Sequence, residues 1–293
     1  MRGMKTLILG VGGMLGHAMF RTFRDGEGFD VIGTARHDGV KRFFSKADAD
    51  RLVTDVDVLD PDRMTFLFME HRPAIVVNCV GLVKQLPSAK DPLVALPINS
   101  LFPHRLAHYC GLVGARLIHI STDCVFSGDK GNYVESDPAD ALDLYGRSKH
   151  LGETVNYPHA VTLRTSIIGH ELSTSHSLID WFLSQQDNVT GFSRAIFSGL
   201  PTNELARVIR DIVVPRADLC GLYHVSAAPI AKFDLLKLVA DVYQKQIKIV
   251  PSDKLVIDRS LDSSRFSSAV GYVADTWPQL VRTMHDSYHR KGD

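Results

Sequence analysis

The sequence predicts an α/β protein: a doubly wound parallel sheet followed by a smaller, less regular C-terminal domain. Three observations predict it. Short, uninterrupted, β-branched runs alternate with helical stretches as far as Arg164, the pattern of parallel strands covered on both faces. A glycine string, Gly10-Val11-Gly12-Gly13-Met14-Leu15-Gly16, stands between the first run and the first helix. Beyond Arg164 the alternation loosens. The predicted boundaries are 1–168 for the first domain, rejoined by about 199–226, and 169–293 for most of the second.

The elements follow in order. Thr6 to Leu9 is the first strand, and a helical pattern continues through Ala18, Met19, Phe20 and Phe23. Phe29 to Thr34 and Arg51 to Thr54 are the second and third strands. Pro61 opens a helix to about Arg72, with Asp60 suited to cap it. Ala74 to Cys79 reads as a buried fourth strand. A helix is expected over Asn99 to Val113, with Leu101, Leu106 and Leu112 among its apolar positions. Arg116 to Ser121 is the fifth strand, a helix carries Tyr145, and Ala160 to Arg164 is the sixth strand. Thereafter come helices at Ile179 to Gln185, Thr202 to Val213, Phe233 to Gln244 and Pro278 to His289. Ala195 to Phe197 and Tyr223 to Ser226 read as strands, the latter a candidate to rejoin the main sheet, with Ile247 to Val250 between the last two helices.

Lysine plus arginine and aspartate plus glutamate both number 33, so the net charge is zero and no nucleic-acid partner is expected. No apolar stretch reaches the ~20 residues of a membrane helix, no signal peptide is visible, and the four widely spaced cysteines read as reduced thiols. The expectation is a cytoplasmic protein. None of the histidines, His119 and His170 included, shows metal-ligand spacing, so no metal is expected.

Gly10, Gly13 and Gly16 have the spacing G-x-x-G-x-x-G at a strand–turn–helix junction. Glycine permits the tight turn and lets the backbone approach a pyrophosphate, which would rest on the N–H groups of the helix opened by Met14 and Leu15. That is the signature of a dinucleotide-binding Rossmann domain. The second strand ends in Gly33-Thr34-Ala35-Arg36 rather than in a carboxylate, and a guanidinium suits a 2′-phosphate. NADPH/NADP is therefore the expected cofactor, with NADH the alternative if Arg36 is only a solvated loop residue. Asp55 and Asp57, with Val58, are candidates to face the adenine. Cys79, Val80 and Gly81 end the fourth strand, where backbone can approach the cofactor ribose.

Tyr145 and Lys149 stand four residues apart on a helix, which places them on one face. Bringing a phenol from ~10 to neutral pH requires roughly three pKa units, or about 4 kcal/mol. A neighbouring ammonium shifts it in that direction. The pair, downstream of Ser121-Thr122-Asp123, points to proton transfer.

Together these residues resemble the extended short-chain dehydrogenase/reductase superfamily and, within it, the dTDP-4-dehydrorhamnose reductase family. The resemblance is carried by the glycine turn and by Asn99 in N-x-x-x-P-x-x-L-A. It continues in Ser121-Thr122-Asp123-x-Val125-Phe126-x-Gly128, Tyr145-Gly146-x-Ser148-Lys149 with Gly152-Glu153, and Leu163-Arg164-Thr165-Ser166. Late markers are Gly199-x-Pro201-Thr202 and Leu261-Asp262-Ser263-Ser264. It implies NADPH-dependent reduction of the 4-keto group of a nucleotide-linked 6-deoxyhexose, a dTDP- or UDP-sugar, in cell-surface polysaccharide synthesis. Thr122 and Tyr145 would bond the ketone oxygen, and Tyr145 would donate the proton. Lys149 would bind the nicotinamide ribose, and Asn99 would lie at the cofactor. Dimers are common among such relatives, which admits a homodimer here.

The related dehydratases carry Asp-Glu after the threonine, whereas this chain has Asp123-Cys124, so reduction outranks dehydration. Epimerisation remains an alternative, as does an NADP-binding regulatory role resembling the regulatory subunit of methionine adenosyltransferase. Cys124 and Ile167 stand where the family has tyrosine and tryptophan, which implies a different sugar, nucleotide or stereochemical outcome. Lys84, Gln85 and the Asn132-Tyr133 region are candidates to shape the substrate pocket, with Asp123, Cys124 and Arg164. Ser121 either assists Thr122 or ends the strand. Arg259 and Arg265 are either pyrophosphate partners, through the bidentate fork of arginine, or surface ion pairs.

Overall fold

β1 (Met4–Leu9) buries Thr6 to Leu9 without alternation, and β4 (Ile75–Asn78) is buried at all four residues. Strands covered on both faces need apolar side chains in both directions, hence the continuous runs. The computed structural model describes residues 3–82, 84 and 87–289, so Gln85 lies outside the described residues. β1 pairs in parallel with β2 (Phe29–Thr34) on one side and with β4 on the other; Leu9 stands opposite both Thr34 and Asn78. The seven-stranded sheet runs Gly221–His224, β6 (Ala160–Thr165), β5 (Arg116–Thr122), β4, β1, β2, β3 (Leu52–Val53). The chain steps outward from β1 to β3 and then returns to β4 across β1. That reversal leaves a crevice at the carboxyl ends of β1 and β4, the place where such sheets receive ligands.

The chain divides into two units. The first comprises Met1–Ser121, Leu142–Leu163 and Ala206–Leu222. Its core joins Leu7, Leu9 and Val76 of the sheet to Met64, Leu67 and Phe68 on one helix and to Phe102, Leu106 and Cys110 on another. α1 (Met14–Arg24) buries Leu15, Met19, Phe20 and Phe23 and places Arg21 and Arg24 in its last turn, where cations suit the helix dipole. Asp60 caps the Pro61–His71 helix, accepting the N–H groups of Asp62 and Arg63 at 2.9 and 3.1 Å.

The helix expected to start at Asn99 starts differently. A helical turn at Pro92–Ala95 passes into a π-helical segment, Leu96–Leu101, before the α-helix Phe102–Val113. Its buried face is Phe102, Leu106 and Cys110, spaced i, i+4, i+8. Leu101 and Leu112 are 52% and 83% exposed. Two of the three apolar positions named for this helix therefore face solvent.

The second unit comprises Thr122–Ala141, Arg164–Leu205 and Tyr223–Asp293. It combines helices such as Lys232–Val242 and Trp277–His289 with short strands. Ile167–Ile168 pairs with Leu200–Pro201, Ala195–Phe197 with Ile230–Ala231 and Ile257–Asp258, and Val189–Phe192 with Ile249–Ser252. A Cβ on Gly199 would lie 2.0 Å from the Ser166 carbonyl oxygen, so only glycine admits the bond from Leu200 N–H to that oxygen. The Phe126 and Tyr133 rings stack at 4.1 Å, and the Tyr133 hydroxyl accepts the N–H groups of Gly128 and Lys130. Tyr133, a candidate pocket residue, is therefore a buried brace of this unit.

Candidate active site

The glycine turn is a cradle that side chains would fill. Gly10 has φ +85°, and a Cβ on Gly16 would lie 2.0 Å from the Gly10 carbonyl oxygen. A Cβ on Gly10 would meet the Val80 side chain at 3.1 Å and the Cys79 carbonyl at 3.3 Å. The turn, the first turn of α1 and the end of β4 thus meet at the sheet's reversal point. Gly13 caps α1 without a side chain, and no carboxylate stands in the first turn, at Met14 or Leu15. An anion is favoured at such an uncapped helix start. These features fit a dinucleotide pyrophosphate.

Along β2, Arg36 is exposed beyond the strand end, and no ion pair among the described residues engages it. Lys41 pairs with Asp38 at 2.7 Å, and Arg42 lies over the Phe43 ring at 4.7 Å. Asp55 adopts φ 56°, and the Asp57 carboxylate accepts the Leu59 N–H at 3.0 Å. Val58 packs on the core. An adenosine-side role for Arg36, Asp57 and Val58 is compatible with these positions.

The Leu144–Leu151 helix starts at Asp143, whose carboxylate accepts the Gly146 N–H at 2.8 Å. The same aspartate pairs with Lys84 at 2.7 Å, and the Lys84 ammonium lies 6.0 Å over the Tyr145 ring. Lys84, named as a substrate residue, therefore stands beside Tyr145, which is half-buried. One turn on, Lys149 is buried and donates to the Ile120 carbonyl at 2.8 Å. Its ammonium would stand 3.8 Å from a Cβ on Gly81, and the Asn99 side-chain oxygen would stand 3.6 Å from it. Cys79 to Gly81, Asn99 and Lys149 are thus brought together. Asn99 accepts the Leu82 N–H at 3.0 Å and donates to the Ser148 hydroxyl at 3.1 Å, and that hydroxyl donates to the Tyr145 carbonyl.

Burial shifts the ionisations here. It pulls Lys149 down to about 8, opposed by the Glu153 carboxylate. It pushes the Cys79 thiol up to about 12. It holds His119 well below the ordinary imidazole value, an effect reinforced by Lys149. The Asn78 amide lies 3.1 Å from His119 Nδ1.

In the second unit, the Thr122 hydroxyl donates to Asp123 at 3.2 Å and accepts the Cys124 N–H at 3.1 Å. Burial raises the Asp123 carboxyl, while Arg259 and hydrogen bonds from Cys124, Thr122 and Ser166 oppose the rise. Arg259 donates through Nε to the Phe126 carbonyl at 2.7 Å and approaches Cys124 Sγ at 3.8 Å. Thr122, Asp123, Cys124 and Arg259 therefore form one cluster. Arg164 is buried over the Phe126 ring at 5.1 Å with His224 Nε2 at 3.4 Å. Arg265 lies over the Tyr223 ring at 4.9 Å. Ser121 spends its hydroxyl on Glu153 at 2.7 Å. Glu153 and Gly152 carried no assigned role. A Cβ on Gly152 would lie 1.9 Å from the Asn99 carbonyl oxygen, and the spacing of Glu153 four residues after Lys149 was the available signal.

A doubly wound sheet with a glycine turn at its reversal point and a helical Tyr-x-x-x-Lys at its carboxyl edge defines a Rossmann-type protein of the extended short-chain dehydrogenase/reductase class. Residues 4–288 match the RmlD substrate binding domain family. The chain belongs to that family. It is 27% identical to methionine adenosyltransferase 2 subunit beta of Danio rerio over 86% of this chain and 76% of that one. It is also 27% identical to the "Probable low-salt glycan biosynthesis reductase" of Haloferax volcanii over 88% and 84%. Among solved structures, dTDP-4-dehydrorhamnose reductase from Bacillus anthracis, in complex with NADP, superposes with a TM-score of 0.79 at 20% identity, covering 98% of this chain and 100% of that one.

Proposed function

We propose that the protein is an NADPH-dependent reductase of the 4-keto group of a nucleotide-diphosphate 6-deoxyhexose, serving polysaccharide sugar synthesis. One observation carries the reading: the buried Lys149 ammonium, one helical turn from Tyr145, is held at the Ile120 carbonyl beside Cys79 and Gly81. The names of the reductases among its relatives support it. In this reading residues 1–168, with 199–226, bind the dinucleotide, and most of 169–293 binds the sugar nucleotide. A cytoplasmic location and a homodimer belong to the same reading.

Gly10, Gly13 and Gly16, with the N–H groups of Met14 and Leu15, would hold the pyrophosphate, and Arg36 a 2′-phosphate. When bound, the nicotinamide supplies the hydride for the carbonyl carbon. As that carbon is reduced, negative charge develops on its oxygen, and fixed donors stabilise it without reorganising. Tyr145 gives that oxygen its proton. The ammonium of Lys149 favours the resulting phenolate and holds the cofactor ribose. Thr122 keeps the second hydrogen bond that the resemblance assigns to it. Asp123, Cys124 and Arg259 then face the sugar nucleotide, and the Cys124 position, lacking the family's aromatic ring, sets which sugar is accepted.

The test uses purified protein, NADPH and enzymatically generated dTDP- or UDP-4-keto-6-deoxyhexose, followed by loss of nicotinamide absorbance. Tyr145→Phe is expected to abolish turnover while leaving NADPH affinity within about threefold; unchanged turnover refutes the mechanism. KM values for NADPH and NADH test Arg36, and a clear preference for NADH removes its role. The likeness to methionine adenosyltransferase 2 subunit beta favours a second reading, a regulatory NADP-binding subunit. A stoichiometric enzyme partner with no keto-sugar turnover would establish it.

A further inference from the structure

Two opposite charges are buried at the end of β5. Lys149 is one; Glu153, four residues on, is the other. Consecutive residues of the strand hold them. The Ile120 carbonyl accepts from Lys149 at 2.8 Å, and the Ser121 hydroxyl donates to Glu153 Oε1 at 2.7 Å. Glu153 Oε2 lies 3.1 Å from His150 Nδ1, with the glutamate side chain 4% exposed and the histidine 48%. A carboxylate out of water is costly unless a cation and hydrogen bonds compensate it, so this one has a reason to be there.

Apart from His150, the other titratable groups around the pair do not supply that compensation. Cys79, at the end of β4, is pushed up to about 12 and carries no charge near neutrality. His119, on β5, is kept neutral by burial first and then by Lys149. His104, on the Phe102–Val113 helix, has its Nε2 at 2.8 Å from the Leu151 carbonyl. His150 sits at the solvent edge of Glu153. Glu153 is the one carboxyl of these groups, and its field opposes the burial that lowers Lys149.

We propose that Glu153 is a positioning residue for the reaction: its buried carboxylate, gripped by Ser121 and His150, keeps the Lys149 ammonium charged where it meets the cofactor ribose. The proposal rests on the reading that Lys149 serves NADPH. It goes beyond that reading by naming the counter-ion on which the cation depends.

The test needs no sugar substrate. NADPH affinity is measured by fluorescence from pH 7 to 10, a range in which the 2′-phosphate is already ionised. In the parent protein affinity falls above about 8, as Lys149 loses its proton. In Glu153→Gln the amide oxygen still accepts from Ser121 but the charge is gone, and the break moves down by about one pH unit. Glu153→Asp keeps a shorter carboxylate and falls between the two, and it reads the same quantity if the amide variant does not fold. Folded variants whose break stays at the parental pH overturn the proposal. Loss of folding in both variants also overturns it, since Glu153 would then serve the fold. A parent protein that binds no NADPH at any pH fails the underlying reading instead.

Discussion

Lys149 is held by one carbonyl and faces a glycine, an environment that makes its proton easy to lose. Burial brings it from its ordinary 10.5 to about 8. Reduction needs the ammonium present and Tyr145 protonated, so activity is retained below the shifted pKa and lost as pH rises through it. The expected kcat/KM profile for keto-sugar reduction is level near neutrality and declines about tenfold per pH unit above about 8. A profile level to pH 10 would show that Lys149 carries no proton the reaction needs. The Tyr145 and Lys149 spacing was readable from the sequence because helical geometry is local. The partners of Ser121 were not. Its hydroxyl meets Glu153, 32 residues away, and such a meeting is made by the packing of a strand against a helix end. Arg164 likewise stands in the Leu-Arg-Thr-Ser motif, yet its ring and histidine neighbours come from distant segments.

At the scale of elements, strand and helix identity was legible wherever burial is continuous or the cap is chemical. β4 shows as an apolar run, and Asp60 before Pro61 announces a helix that the structure caps through two N–H groups. Removing that cap with Asp60→Ala is expected to cost about 1 kcal/mol of stability, read as a lower midpoint of chemical denaturation with an unchanged slope. An unmoved midpoint would mean that solvent satisfies those N–H groups equally well. The π-helical segment at Leu96–Leu101 was not legible, because no residue type marks the extra residue per turn that shifts the buried face. The two-residue strands of the second unit are too short to display any period. The glycine turn makes the sharper prediction. A Cβ on Gly16 would meet backbone oxygen at 2.0 Å, so Gly16→Ala must displace α1 from the turn. The expected outcome is a loss of about 1–3 kcal/mol in stability and a weakening of NADPH binding, measured by denaturation and by fluorescence titration. Parental affinity in a folded variant would show that this turn does not hold the pyrophosphate.

The arrangement of the central sheet follows from right-handed crossovers between parallel strands, which admit few orders once the glycine turn is placed after β1. That is why this much of the molecule could be anticipated, whereas the second unit, with its small sheets of two or three strands, follows no such rule. The division has a thermodynamic consequence. The glycine turn, Cys79 to Gly81, Asn99 and the Tyr145–Lys149 helix turn all belong to the first unit, so cofactor binding is linked to the folding of that unit. A ligand that binds only the folded form at a hundred times its Kd adds about 2.7 kcal/mol. Differential scanning calorimetry is therefore expected to show a transition that rises with the logarithm of NADPH concentration. Hydrogen exchange should slow at Gly10–Gly16, at Cys79–Gly81 and around Lys149, with segments such as Val189–Phe192 and Ile249–Ser252 changing least. A thermal profile indifferent to millimolar NADPH, or protection confined to the second unit, would remove the dinucleotide from the crevice between β1 and β4 and with it the assignment of Lys149 to the ribose.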